Sequence, residues 1–224
     1  MITRLPKIVD IQPIIEQLNV IGYFEKSLVL NETDGKLLNG PYTVKSEFKD
    51  TPIGDLLNAI GKIGEARLLK LKSGETYTAH CDPDDRIHLA IVTNPHAYVI
   101  DLDRGLTFHM EADGQLWLMD TGVTHVAANF GGRERIHLNI RVPLPEFVAP
   151  GYSLRVDGGD YDWKQETYIT LMKFFNHAIK EKQITGFEKV DEREVLLNCD
   201  PAILKPFIEE LEHKGLTVQL NDVL

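Results

Sequence analysis

Between Ala66 and Pro143 the chain is cut into eight short runs: "ARLLKLK", "TYTAHCD", "RIHLAIVT", "AYVIDLD", "LTFHMEA", "QLWLMD", "HVAANF" and "RIHLNIRV". The separators "KSGE", "DPDD", "DRG", "ADG" and "FGGRE" carry the Gly, Asp and Pro of tight turns. Runs this short and this closely spaced predict antiparallel strands, because a helix needs more residues to bury a face. Successive strand side chains point to opposite faces. Arg86 and His88 therefore share one face while Ile87, Leu89 and Ile91 share the other, and Arg135, His137 and Asn139 alternate in the same way with Ile136, Leu138 and Ile140. The expected architecture is mainly β: a sandwich, jelly roll or small barrel with apolar faces and a polar, cationic mouth.

Both flanks read as helical. "DIQPIIEQLNVIGYF" offers Asp10 as N-cap and Ile14, Ile15, Leu18 and Ile21 on one face, and "TPIGDLLNAIGKIG" offers Thr51 as cap with Pro52 in the first turn. The stretch "NETDGKLLNGPY" between them predicts a loop or hairpin. After "PLPEFVAPGY", residues 163–182 predict a long helix burying Tyr168, Leu171, Met172, Phe175 and Ala178. "EVLLNC", "DPAILKPFIEELEHKG" and "LTVQL" predict a β-α-β unit with Asp200 as cap and Gly215 at the helix end. The expected division is residues 1–150 as the β domain with its N-terminal helices, and 151–224 as a small appended α/β region.

Of the 224 residues, 43% are hydrophobic and 26% charged, enough for a sizeable core. A net charge of −10 argues against a nucleic-acid ligand, which calls for a basic footprint. No apolar run approaches the roughly 18 residues of a membrane span, and the N-terminus lacks a signal-like apolar stretch. Cys81 and Cys199 lie far apart without a spacing pattern, as in a reducing compartment. The expectation is a cytoplasmic protein acting on a small molecule, an amino acid among the candidates, with no nucleic-acid or membrane partner and with a second copy of the chain as a candidate partner.

The densest polar stretch is "HCDPDDRIHL", residues 80–89. On a strand, His80 and Asp82 would point the same way and Cys81 the other, so the pair could offer two ligands to one metal. His125, opening a later strand, is the best candidate for a third. Two imidazoles and a carboxylate on one side of an ion leave the other side open, the arrangement of non-haem Fe(II) oxygenases. Arg86 and Arg135 add guanidinium forks suited to carboxylates. "DPDD" reads as a turn, so Pro83, Asp84 and Asp85 receive no chemistry. Neither do His96, His109, His177 and His213, His109 being placed mid-strand without a partner; Trp117 and Phe108 are read as core or pocket wall.

His80-x-Asp82, Arg86-x-His88, His125 and Arg135 ten positions further on resemble the aspartyl/asparaginyl β-hydroxylase family of Fe(II)- and 2-oxoglutarate-dependent oxygenases. The resemblance covers about residues 66–143. It implies a double-stranded β-helix (jelly roll, cupin-like) with flanking helices, iron held by His80, Asp82 and His125, Arg135 on the distal carboxylate of 2-oxoglutarate, and Arg86 and His88 as further cosubstrate or substrate contacts. Peptidyl members lack the carboxylate two residues after the first histidine, whereas free-proline hydroxylases keep it, so Asp82 places the chain nearer the bacterial free-proline branch. The peptidyl enzymes' serine, eleven residues before that histidine, is Leu69 here. The resemblance thus implies a dioxygenase using Fe(II), 2-oxoglutarate and O2 to hydroxylate a small, proline-like amino acid or related carboxylate. Hydroxylation of Asp, Asn or another residue in a peptide, and a cupin-like binding module without turnover, stay as alternatives.

Overall fold

The computed structural model describes residues 2–35, 38–144, 151–157, 163–191 and 193–223, with side chains 163–165 left aside. In chain order the elements are β1 (Ile2–Ile8), α1 (Gln12–Ile21), β2 (Ser27–Val29), β3 (Asn31–Glu32), β4 (Thr43–Val44), α2 (Pro52–Ile60), β5 (Ala66–Leu71), β6 (Arg86–Val92), β7 (Ala97–Asp101), β8 (Leu106–Phe108), β9 (Gln115–Met119), β10 (His125–Asn129), β11 (Arg135–Arg141), β12 (Tyr152–Asp157), α3 (Trp163–Lys180), β13 (Ile184–Lys189), β14 (Glu194–Cys199), α4 (Pro201–His213) and β15 (Thr217–Asp222). They fall into two compact units: Met1–His80 with Asp84–Pro143, and Leu144–Leu224 with the three residues Cys81–Pro83. The expected division between residues 150 and 151 falls at the edge of the described residues, since 145–150 are among those left aside.

In the first unit a six-stranded antiparallel sheet runs β1-β9-β6-β11-β5-β2 and a three-stranded sheet runs β10-β7-β8. Residues 75–80 run beside β10, with Tyr77 N–H donating to Ala127 O (2.9 Å) and Asn129 N–H to Glu75 O (2.9 Å). From β5 to β11 the chain passes back and forth between the two sheets, and strands adjacent in the large sheet (β9, β6, β11, β5) are not adjacent in sequence. That order is a jelly roll, the double-stranded β-helix.

Alternation along the strands sorts the two faces of the large sheet. Leu68, Leu89, Ile91, Leu116, Ile136, Leu138 and Ile140 pack with Ile14 and Leu18 of α1 and Ile53, Leu56 and Leu57 of α2. Leu68, Leu89, Leu138 and Ile140 are fully buried, each worth about 1.5–3 kcal/mol against exposure. On the opposite face, Ala90 and Met119 meet Val99 of the small sheet and Met110, with Trp117 against them. The two helices form where their caps allow. Thr51 accepts from Gly54 N–H (3.3 Å) with Pro52 in the first turn. The expected Asp10 cap is off by one position: Ile11 is the N-cap of α1, and the Asp10 carboxylate instead accepts from Gln12 N–H (3.1 Å).

Two expectations about the first unit change. The N-terminal residues form β1, paired antiparallel with β9 from Ile2↔Met119 to Ile8↔Gln115. Its burial is almost wholly exposed and its register shifts between Arg4 and Ile8, around Pro6. An edge strand tolerates a proline and needs no apolar alternation, so periodicity could not reveal it. Conversely, "TYTAHCD" is not a continuous strand: it bridges β10 at Thr76↔Ala128 and His80↔His125 only. "NETDGKLLNGPY" does start a hairpin, β3 against β4.

The second unit is a four-stranded antiparallel sheet in the order β13-β14-β12-β15 with α3 and α4 as connections. Its β-α-β-β-α-β sequence is the ferredoxin-like arrangement. Phe174 stacks on Phe207 at 4.1 Å, and Phe175 packs on Phe187 at 4.9 Å. Asp200 caps α4 by accepting from Ala202 N–H (2.9 Å). The expected β-α-β unit is thus half of a larger motif, whose first strand, β12, pairs with β15 some 60 residues later, Tyr152↔Asp222 to Asp157↔Thr217. Local patterning does not carry a pairing of that range.

Candidate metal centre and anion pocket

His80 ends the extended segment that flanks β10, and His125 begins β10. They are cross-strand partners that exchange both backbone bonds: His80 N–H to His125 O at 3.1 Å and His125 N–H to His80 O at 2.9 Å. Directly opposed residues project their side chains to the same side, and the two imidazole centroids lie 4.4 Å apart. Each ring is oriented by its own backbone. Nδ1 of His80 lies 2.7 Å from Thr78 O and Nδ1 of His125 lies 2.9 Å from Val123 O. A carbonyl only accepts, so both Nδ1 atoms carry the proton and Nε2 is the nitrogen of each ring able to ligate a metal. Asp82 lies two residues past the bridge, and candidate ligand atoms of His80, Asp82 and His125 all lie within 4.8 Å of one another. The donor set of two neutral imidazoles and one carboxylate fits a non-haem iron with open positions.

Arg135, His137 and Asn139 face away from the core that holds Ile136, Leu138 and Ile140. Arg135 is 2% exposed. Among the described residues no carboxylate pairs with it; its Nη2 donates to His137 Nδ1 at 2.9 Å. Burial pushes its pKa down to about 10, against a smaller opposing effect of Tyr77. The same bond settles the His137 tautomer: a guanidinium only donates, so Nδ1 accepts and the proton sits on Nε2. His137 is held neutral, well below the usual histidine range, first by burial and then by the Arg135, His88 and His109 charges. Its Nε2, the Tyr77 hydroxyl and the Trp117 Nε1 are buried with no hydrogen-bond partner in the described structure. Two ring N–H donors and a hydroxyl left unmet, together with an uncompensated guanidinium, are costly unless an acceptor-rich ligand fills the space.

Arg86 and His88 also lie on β6 and are buried. His88 Nε2 accepts from Asn139 Nδ2 at 3.1 Å. Arg86 pairs with Asp84, a carboxylate 1% exposed that also binds Arg141 Nη1 at 2.8 Å, while the Thr121 hydroxyl donates to Asp84 O at 2.6 Å. The turn reading of "DPDD" missed this buried carboxylate between two arginines; its spacing of two from Arg86 was the available signal. Cys81 is fully buried. His109 stands just after β8, not mid-strand, and does have partners: Nδ1 donates to Ala97 O (2.9 Å) and Nε2 lies 3.2 Å from Glu111.

No described helix is long and apolar enough to cross a membrane. Residues 53–145 match the family model described as Aspartyl/Asparaginyl beta-hydroxylase. No curated protein matches the chain. Among solved structures, a crystal structure of a Pseudomonas putida prolyl-4-hydroxylase matches at 14% identity over 62% of this chain and 90% of that chain, with a TM-score of 0.43. At that score the likeness carries no weight beside the strand order, which already defines the jelly roll. The matched stretch, residues 53–145, contains the His-Asp-His cluster and the buried Arg135.

Proposed function

We propose that the protein is an Fe(II)- and 2-oxoglutarate-dependent dioxygenase that hydroxylates a small, proline-like amino acid or a related carboxylate. The observation that carries this reading is Arg135: a buried guanidinium with no described carboxylate partner, on a sheet where His137 and Trp117 also carry unmet donors, as does Tyr77 in the segment beside β10. A dicarboxylate cosubstrate fits that need, its distal carboxylate taking the fork of Arg135 and the Nε2–H of His137. When bound by His80, Asp82 and His125, iron supplies the oxidising chemistry, with 2-oxoglutarate and O2 converted to succinate and carbon dioxide as an unactivated C–H bond is hydroxylated. The protein's residues do the remaining work. Thr78 O and Val123 O fix the imidazole tautomers, Arg135 neutralises the cosubstrate's far end, and the apolar cluster of Ala90, Val99, Met110 and Met119 keeps water from that part of the interior. Arg86 and His88 border the same face and are proposed as further cosubstrate or substrate contacts. Asp82 favours a free amino acid over a peptidyl residue, in keeping with the proline-hydroxylase branch.

The test is succinate formation from 2-oxoglutarate with Fe(II) and ascorbate, with and without a panel of free amino acids that includes proline and its homologues, and of Asp- and Asn-containing peptides. Succinate stimulated by a free amino acid, with the hydroxylated product detected, is the expected result. Stimulation by peptides alone would move the substrate to a peptidyl residue, and metal binding with no succinate under any condition would overturn the dioxygenase in favour of a binding module.

A further inference from the structure

A carboxylate seated on Arg135 and His137 leaves one buried donor of the large sheet unused. Trp117 packs with Ala90, Val99, Met110 and Met119, and its Nε1 is buried with no hydrogen-bond partner among the described residues. In register it stands opposite His88 of β6, and His88 stands opposite Asn139 of β11. Trp117 is therefore two strands from β11, about 10 Å, and level with a residue four positions past Arg135, about 13 Å along the strand. Strand side chains stand roughly perpendicular to the sheet, so the two donors stay apart. On its other side Trp117 faces Arg4 of the edge strand β1, whose guanidinium carbon lies 4.9 Å from the centroid of the indole. Arg4 is itself exposed, so its charge reaches the indole from the rim of the sheet. A buried N–H without an acceptor is costly unless a ligand supplies one. A phenylalanine would pack here without that cost.

We propose that the Trp117 Nε1–H, with the Arg4 guanidinium over its ring, is a second anion subsite that takes the carboxylate of the molecule to be hydroxylated. The proposal rests on the dioxygenase reading above. An indole N–H donates and does not accept, so the group it reads is an acceptor. The guanidinium beside it favours an acceptor that carries negative charge. Two separated donor sets on one face of the sheet suit two different anions: the cosubstrate at Arg135 and the substrate carboxylate at Trp117. Losing a hydrogen bond to a charged acceptor weakens binding about 10–100-fold. Arg4, being exposed, contributes a smaller, severalfold effect.

The experiment uses the full chain loaded with 2-oxoglutarate and Zn(II), which has no redox chemistry and so allows no turnover. The chain has two tryptophans, Trp117 and Trp163, so isotope-labelled indole gives two N–H signals in the magnetic resonance spectrum. Trp117→Phe identifies its signal by loss, and should that variant not fold, Trp163→Phe identifies the other. The probes are proline and pipecolate, each against its own carboxamide. At least one acid is expected to move the Trp117 N–H downfield by more than its carboxamide does. Calorimetric affinity for that acid should fall about 10–100-fold in Trp117→Phe, and severalfold in Arg4→Met, while 2-oxoglutarate affinity holds at the wild-type value. A Trp117 signal that moves with 2-oxoglutarate and with neither acid gives the N–H to the cosubstrate and overturns the proposal. Equal affinity for the acid in wild type and Trp117→Phe, or a Trp117 signal that no probe moves, overturns it as well. Zn(II)-loaded wild type that binds no 2-oxoglutarate sinks the dioxygenase reading, and the subsite with it.

Discussion

The two faces of the large sheet are made by the same strands, yet they are satisfied in opposite ways. On β11, Ile136, Leu138 and Ile140 enter an apolar core with residues of α1 and α2. One residue out of step, Arg135, His137 and Asn139 enter an interior where, among the described residues, a guanidinium has no counter-ion and several donors have no acceptor. The first face contributes stability without specifying a ligand. The second costs stability and specifies one. A strand with period-two alternation thus divides the labour residue by residue, and substitutions one position apart should separate folding from binding.

The largest stability effect is expected on the closed face. Leu138→Ala should lower unfolding free energy by about 2–5 kcal/mol, since the fully buried side chain leaves a cavity behind. Metal affinity of the folded fraction should stay at the wild-type value. Chemical denaturation followed by metal titration checks both, and a loss of metal affinity without a loss of stability would blur the division.

A smaller, pH-dependent effect marks the open face. His137 is held neutral in the folded protein, while in the unfolded chain it takes up a proton near the ordinary value of 6.5. The unfolded state therefore binds more protons below that value, so its stabilising effect is fully present above about pH 6.5 and is lost as the pH falls through it. The slope tends to about 1.4 kcal/mol per pH unit for one proton. Unfolding measured between pH 7 and 5 should show this slope in wild type and a shallower one in His137→Gln. Equal slopes would mean that His137 protonates in place.

Strands β6 and β11 were legible because both of their faces are buried in different chemistry, which writes a period of two into the sequence. The exceptions follow from the same logic. β1 is an exposed edge interrupted by Pro6, so it has no alternation to read. Residues 76–82 alternate well but touch β10 at isolated bridges, and Asp82 lies beyond the paired segment although its carboxylate is within 4.8 Å of the ligand atoms of His80 and His125. In the second unit, β12 pairs with β14 and β15, both remote from it in sequence. The motif carried His80, Asp82 and His125 to one cluster. It could not carry Asp84, whose burial depends on Arg141 57 positions later. Polar residues that act through long-range contacts leave no local periodicity.

The central claim is that Arg135 is buried for a ligand's sake rather than for the fold's. The direct measurement is calorimetric binding of 2-oxoglutarate to Mn(II)-loaded wild type and Arg135→Met, with thermal unfolding and Mn(II) affinity measured on both metal-free proteins. Losing the buried partner of a charge costs on the order of 2–5 kcal/mol, so 2-oxoglutarate affinity should fall by about tens to thousands of times. Replacing an uncompensated buried cation by an apolar side chain of similar length should leave unfolding unchanged or raise its temperature, and Mn(II) affinity should hold. Unchanged 2-oxoglutarate affinity in Arg135→Met, or a wild type that binds no 2-oxoglutarate, would contradict the account.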